Sequence, residues 1–122
     1  KIIKLLNKRK LDGVSFKKVN FTPTDFSYHK YYNEKCNGVK IVVRDKILYH
    51  PLKTAIEILE IVQNVHPDRF KFLENNFIDK LYGSDKLRKC ILSDDNQLGD
   101  LYEDWVLEEN KFKTDSMRFL LY

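Results

Sequence analysis

Pro51-Leu52-Lys53-Thr54-Ala55-Ile56-Glu57-Ile58-Leu59-Glu60-Ile61-Val62-Gln63-Asn64-Val65 is the stretch on which the fold turns. Proline at the first helical position loses nothing, because its missing N–H belongs to the unpaired first turn. Leu52, Ala55, Ile56, Leu59, Val62 and Gln63 then follow the helical period, and Ile58, Ile61 and Val65 widen the apolar stripe. Pro67 pushes the residue before it out of helical space and ends the run. The spacing predicts a long central helix, with Glu57 and Glu60 on its solvated side.

Upstream, Ile2, Ile3, Leu5, Leu6 and Leu11 among Lys1, Lys4, Lys8, Arg9 and Lys10 form an amphipathic helix pattern with a basic outer face, broken at Asp12-Gly13. Val14 to Phe21 is rich in β-branched and aromatic residues and predicts a strand, stopped by Thr22-Pro23-Thr24. Residues 25–37 mix polar and aromatic groups and predict a loop carrying Tyr28, Tyr31 and Tyr32. Val39, Ile41 and Val43 alternate with Lys40 and Arg44, the period of a strand with one buried face. Downstream, Phe70 and Phe72 suggest a short strand. Phe77, Leu81 and Tyr82 suggest a short helix ended by Gly83, and Ser84 a cap for another through Leu87, Cys90 and Ile91. Asp94-Asp95-Asn96 would cap a long helix traced by Leu98, Leu101, Tyr102, Trp105 and Phe112, and Phe119 to Tyr122 would dock as a terminal strand. The expected class is α+β: a small mixed sheet with the long central helix, short helices and a long C-terminal helix packed against it.

The 122 residues are 43% hydrophobic and 33% charged, with four glycines and three prolines, which fits one ordered globular domain able to bury a core unaided. A net charge of +4 permits weak attraction to acidic polymers without requiring it. No apolar run reaches the roughly 18 residues of a membrane span, and no signal peptide is visible. Cys36 and Cys90 lie far apart, as two half-buried thiols or as one disulfide of an exported protein.

The residues offer little catalytic machinery. No nucleophile sits in a known signature, and Cys36 with His29 is only a local coincidence. His29, His50 and His66 have no metal-ligand spacing, so no metal and no cofactor is expected. Glycoside hydrolysis needs two facing carboxylates, but the acidic residues read as helix faces, caps and first turns. Four scattered glycines form no phosphate cradle. The basic N-terminal segment and the tyrosines are offset by acidic later helices, and nucleic acid is not expected as a partner.

Ordered blocks then carry a resemblance. Phe21-Thr22-Pro23-Thr24, then Cys36-Asn37-Gly38-Val39, then Pro51 opening its helix, resemble blocks of the bacterial DUF1343 family, which includes exo-β-N-acetylmuramidases. His66-Pro67-Asp68-Arg69-Phe70, Phe77 to Ser84, Leu87-Arg88, Trp105 and the closing Phe119 to Tyr122 continue the series. The resemblance implies the C-terminal auxiliary domain of a two-domain protein. The catalytic glutamate would lie on a Rossmann-like N-terminal domain upstream of Lys1, and the substrate cleft between the domains. It implies a non-catalytic wall of that cleft, facing N-acetylmuramic acid-containing glycans. Thr22, Pro23, Thr24, Tyr28, Cys36, Asn37, Gly38 and Arg44 are the candidate substrate-binding residues. A stand-alone module binding a protein or an anionic polymer is the alternative, and cellular location stays open.

Overall fold

The computed structural model describes residues 1–25, 30–93 and 98–120. The decisive stretch is a helix, Pro51–Val65, with Pro51 at its start and His66 extended before Pro67. We call it α2. It belongs to a first compact unit, Lys1–Pro67, with α1 (Ile2–Lys8), β1 (Val14–Phe21) and β2 (Cys36–Val43).

The two strands pair antiparallel, with Phe21 opposite Cys36 and Val14 opposite Val43. Period-two alternation sends Val14, Phe16, Val39 and Ile41 to one face. There Phe16 is buried with Leu6 of α1 and Ile61 of α2, and Ile2, Ile3, Leu11, Val14, Val39, Ile58 and Val65 pack around them. Burying each such large apolar side chain contributes roughly 2 kcal/mol.

Asn7 fixes α1 to the sheet. Its amide Nδ2 donates to the Phe16 carbonyl at 3.0 Å, and the Phe16 N–H donates to Asn7 Oδ1 at 3.0 Å. Both backbone groups of Phe16 therefore point away from β2, and the side chain imitates a neighbouring strand. Asn7→Ala is expected to cost about 1–2 kcal/mol, read as a lower urea midpoint at unchanged slope.

Glycine is obligatory at position 13. Its φ is +68°, and an added Cβ would stand 2.5 Å from the Asp45 carbonyl oxygen and 2.7 Å from the Tyr49 nitrogen. The Gly13 carbonyl accepts from the Arg44 N–H at 2.7 Å and the Asp45 N–H at 3.2 Å. Asp45 Oδ1 accepts from the Ile47 and Leu48 amides, so the link to α2 is a built turn.

One expectation is overturned on α2. Leu52 and Ala55 are exposed, whereas Thr54, Ile56, Glu57, Glu60 and Ile61 are buried. The buried stripe is rotated, and Glu57 and Glu60 keep only 4% and 3% exposure. The cause is Arg9, just beyond α1. Its Nε lies 3.3 Å from Glu57 Oε2, and its Nη2 donates to Glu60 Oε2.

The second unit, from Asp68 on, holds α3 (Phe77–Tyr82), α4 (Lys86–Leu92), α5 (Leu98–Ser116) and a 3-10 turn, Met117–Phe119. Gly83 ends α3 at φ +89°. Arg88 grips Asp79 with Nε and Nη2 at 2.8–3.0 Å, which holds α4 to α3 and raises the guanidinium pKa. Leu87, Ile91, Leu98 and Leu101 are buried, and the Trp105 indole N–H donates to Tyr82 Oη at 2.6 Å. The cap of α4 falls at Asp85 instead of Ser84. The Asp85 carboxylate meets the Lys89 ammonium at 2.6 Å, which holds its pKa below the usual carboxylate value.

Two expected strands are absent among the described residues. Phe70 and Phe72 pack edge to face on each other, 5.0 Å apart, in irregular backbone. Phe119 closes the exposed 3-10 turn instead of entering a sheet, and the Asp94–Asn96 cap falls outside the described residues. Cys36 and Cys90 are both of intermediate burial, Cys36 in the first unit and Cys90 in the second. The class is α+β, with a two-stranded antiparallel sheet.

Candidate functional site

The end of the hairpin gathers most of the candidate residues. Register puts Phe21 beside Cys36 and Asn20 beside Asn37, and the chain leaves β1 through Thr22. Asn20, Phe21, Thr22, Lys35, Cys36 and Asn37 line a groove of about 300 Å³. Its lining brings Thr22, two asparagines and Lys35 to the same end of the hairpin as the half-exposed Phe21. An aromatic face with neutral and cationic donors suits a polar ligand with hydroxyl, amide and carboxylate groups.

The backbone around the groove is tied down. The Asn33 N–H donates to the Pro23 carbonyl at 2.9 Å, and the Glu34 N–H to the Tyr31 carbonyl at 3.0 Å. Tyr31 and Asn33 both take left-handed conformations, φ 61° and 58°, which side-chain-bearing residues adopt at a cost. Tyr31 and Tyr32 are exposed, and the Lys30 ammonium sits 5.4 Å from the Tyr31 ring centre.

Gly38 stands on the same sheet face as Phe21, and a Cβ there would come within 2.9 Å of the Phe21 ring. The glycine lets that ring lie across the strand.

The candidate residues do not all meet. Thr22, Cys36 and Asn37 share the groove, Pro23 anchors its loop, and Gly38 seats Phe21. Thr24 is exposed beyond the lining. Tyr28 lies outside the described residues. Arg44 is elsewhere: β2 runs extended away from Asn37, so seven residues carry it about 23 Å to the opposite end of the hairpin. There its Nε donates to Ser15 Oγ at 2.9 Å. Asn20, Phe21 and Lys35 were not among the candidates. The signal for them was the antiparallel pairing, which needs a register that the strands' own sequences do not print.

Among the described residues, the buried Glu57 and Glu60 form a carboxylate pair that could be mistaken for hydrolytic machinery. Glu57 Oε2 and Glu60 Oε1 are out of reach of solvent, and both side chains face Arg9. A sugar cannot enter between them. Among the described residues, the hairpin groove has no carboxylate in its lining.

The arrangement of elements is that of the DUF1343 proteins. A crystal structure of a DUF1343 family protein from Bacteroides fragilis superposes with a TM-score of 0.82 at 24% identity, over 100% of this chain and 32% of that one. Residues 1–122 match the family described as exo-β-N-acetylmuramidase NamZ, C-terminal, and the chain belongs to that family. It is also similar to the peptidoglycan β-N-acetylmuramidase NamZ of Bacillus subtilis (strain 168), 26% identical over 117 residues. That match covers 96% of this chain and 27% of the relative. The chain thus spans about a quarter to a third of the length of the proteins it matches.

Proposed function

We propose that this chain is the non-catalytic C-terminal domain of an exo-β-N-acetylmuramidase acting on peptidoglycan fragments. In this reading its hairpin end forms one wall of a cleft completed by an N-terminal catalytic domain. The observation that carries it is the groove at Thr22, Cys36 and Asn37. It offers an aromatic side chain and hydrogen-bonding residues without a carboxylate in its lining among the described residues. Such a surface holds a sugar and leaves bond cleavage to another domain, since glycosidic hydrolysis needs an acid and a second carboxylate across the bond. The Lys35 ammonium is placed to attract the lactyl carboxylate of N-acetylmuramic acid, and the Phe21 ring to pack on the sugar's apolar face. The stand-alone module is the weaker alternative, because the relatives extend well beyond the matched region.

The test is kinetic. In the full-length protein, Asn37→Ala is expected to raise KM for a peptide-free glycan fragment ending in N-acetylmuramic acid about five- to tenfold with kcat little changed, the loss of one or two hydrogen bonds. The isolated chain should not hydrolyse a chromogenic N-acetylmuramide. Turnover by the chain alone that one Glu or Asp substitution abolishes would refute the proposal.

A further inference from the structure

The hairpin has a second face, turned away from the core. Alternation puts Ser15, Lys17, Val19 and Phe21 of β1 on it, with Val42, Lys40, Gly38 and Cys36 of β2 opposite them. Register sets Lys17 directly across from Lys40, and both are exposed. Like charges directly opposed in an antiparallel pair are destabilising. Arg44 continues the row one alternation beyond Val42, with its Nε donating to Ser15 Oγ at 2.9 Å. Among the described residues, no ion pair joins Lys17, Lys40 or Arg44. None of the strand residues on this face is acidic.

The cationic row leads away from the hairpin groove. Phe21 and Cys36 line that groove and also stand on this face. Lys17 and Lys40 lie four residues further along their strands, about 13 Å, and Arg44 lies four residues beyond Lys40. A face that keeps two opposed ammonium groups and a guanidinium without countercharge loses stability by doing so and attracts anions. Cations recurring along an extended strand match an extended ligand whose anions also recur. A single small anion would meet only one of them.

We propose that this face binds anionic glycan, with Lys17, Lys40 and Arg44 meeting carboxylates on sugars beyond the one seated at Phe21. The inference rests on the reading that the hairpin end holds N-acetylmuramic acid, and it adds which chains are held best. In a peptide-free strand each N-acetylmuramic acid unit keeps a free lactyl carboxylate, so negative groups repeat along the polymer. Strands of several disaccharides reach the row, and a single disaccharide does not. Arg44, remote from the groove, lies on the line that leads out of it.

The test is equilibrium binding of the full-length protein to peptide-free strands of alternating N-acetylglucosamine and N-acetylmuramic acid. Chitin oligosaccharide of equal length is the probe without carboxylates. Lys17→Gln/Lys40→Gln is expected to weaken binding to the strands about three- to tenfold at low salt, the loss of two exposed ion pairs, with chitin binding unchanged. The difference should vanish near 1 M salt, where the screening length is about 3 Å. Lys80→Gln/Lys111→Gln removes the same charge from exposed positions on α3 and α5 and is expected to leave binding unaltered. A thermal midpoint of Lys17→Gln/Lys40→Gln at or above that of the wild type is expected, since a repulsion is removed.

Wild-type affinity in Lys17→Gln/Lys40→Gln, or an equal loss in the Lys80 and Lys111 control, overturns the proposal. Binding is read without turnover, so the two proposals fail separately. Loss of the row with Asn37→Ala still raising KM leaves the groove reading in place, and the reverse result removes the groove reading and keeps the row.

Discussion

Arg9→Met is expected to destabilise the protein by about 3 kcal/mol, read as a lower denaturant midpoint. The size follows from what the substitution leaves behind. Glu57 and Glu60 are 4% and 3% exposed and share the Arg9 guanidinium. Without it, two buried carboxylates lose the guanidinium they share, and breaking a buried pair by removing one partner costs about 3–5 kcal/mol. The Arg9 side chain is itself 39% exposed, so water can follow it inward, which favours the lower end of that range. An ordinary surface ion pair would lose at most about 1 kcal/mol. Adding Glu57→Gln and Glu60→Gln should return most of the loss. If Arg9→Met alone has no effect, the carboxylates are not held as described.

Gly13→Ala is expected to cost a similar amount, about 3 kcal/mol, for a different reason. The left-handed backbone strains any residue with a Cβ, and this Cβ would press on the Asp45 carbonyl and the Tyr49 nitrogen. Those are backbone atoms, so no side-chain rotation relieves the contact. Thermal unfolding of the variant against Gly99→Ala, where a Cβ meets nothing within 4 Å, separates the clash from glycine replacement in general. A Gly13→Ala variant as stable as the wild type would exclude the tight turn.

The sequence made the elements with strong local signals legible. Pro51 and Pro67 bracketed α2, and β1 was bounded at Val14–Phe21 by the β-branched run and Pro23. The orientation of α2 was not legible, because its apolar residues are spread widely around the helix. The choice of face was settled by Arg9, a residue 48 positions before Glu57, and local periodicity carries no trace of such a partner. Phe70 and Phe72 misled for a related reason: alternation describes a strand only where another strand is present to pair with it. At the candidate site, Thr22, Cys36 and Asn37 came together as expected from the ends of two strands. Arg44 did not, because membership of one strand separates residues by the strand's full length.

The Asn7 clamp bears on how the protein behaves at high concentration. A two-stranded sheet has two open edges, and each invites a strand from another molecule. The amide that seats α1 on β1 also occupies the N–H and C=O of Phe16, in the middle of one such edge. An incoming strand would have to displace that side chain before it could run past Phe16. One asparagine on a neighbouring helix therefore blocks strand addition at the middle of that edge.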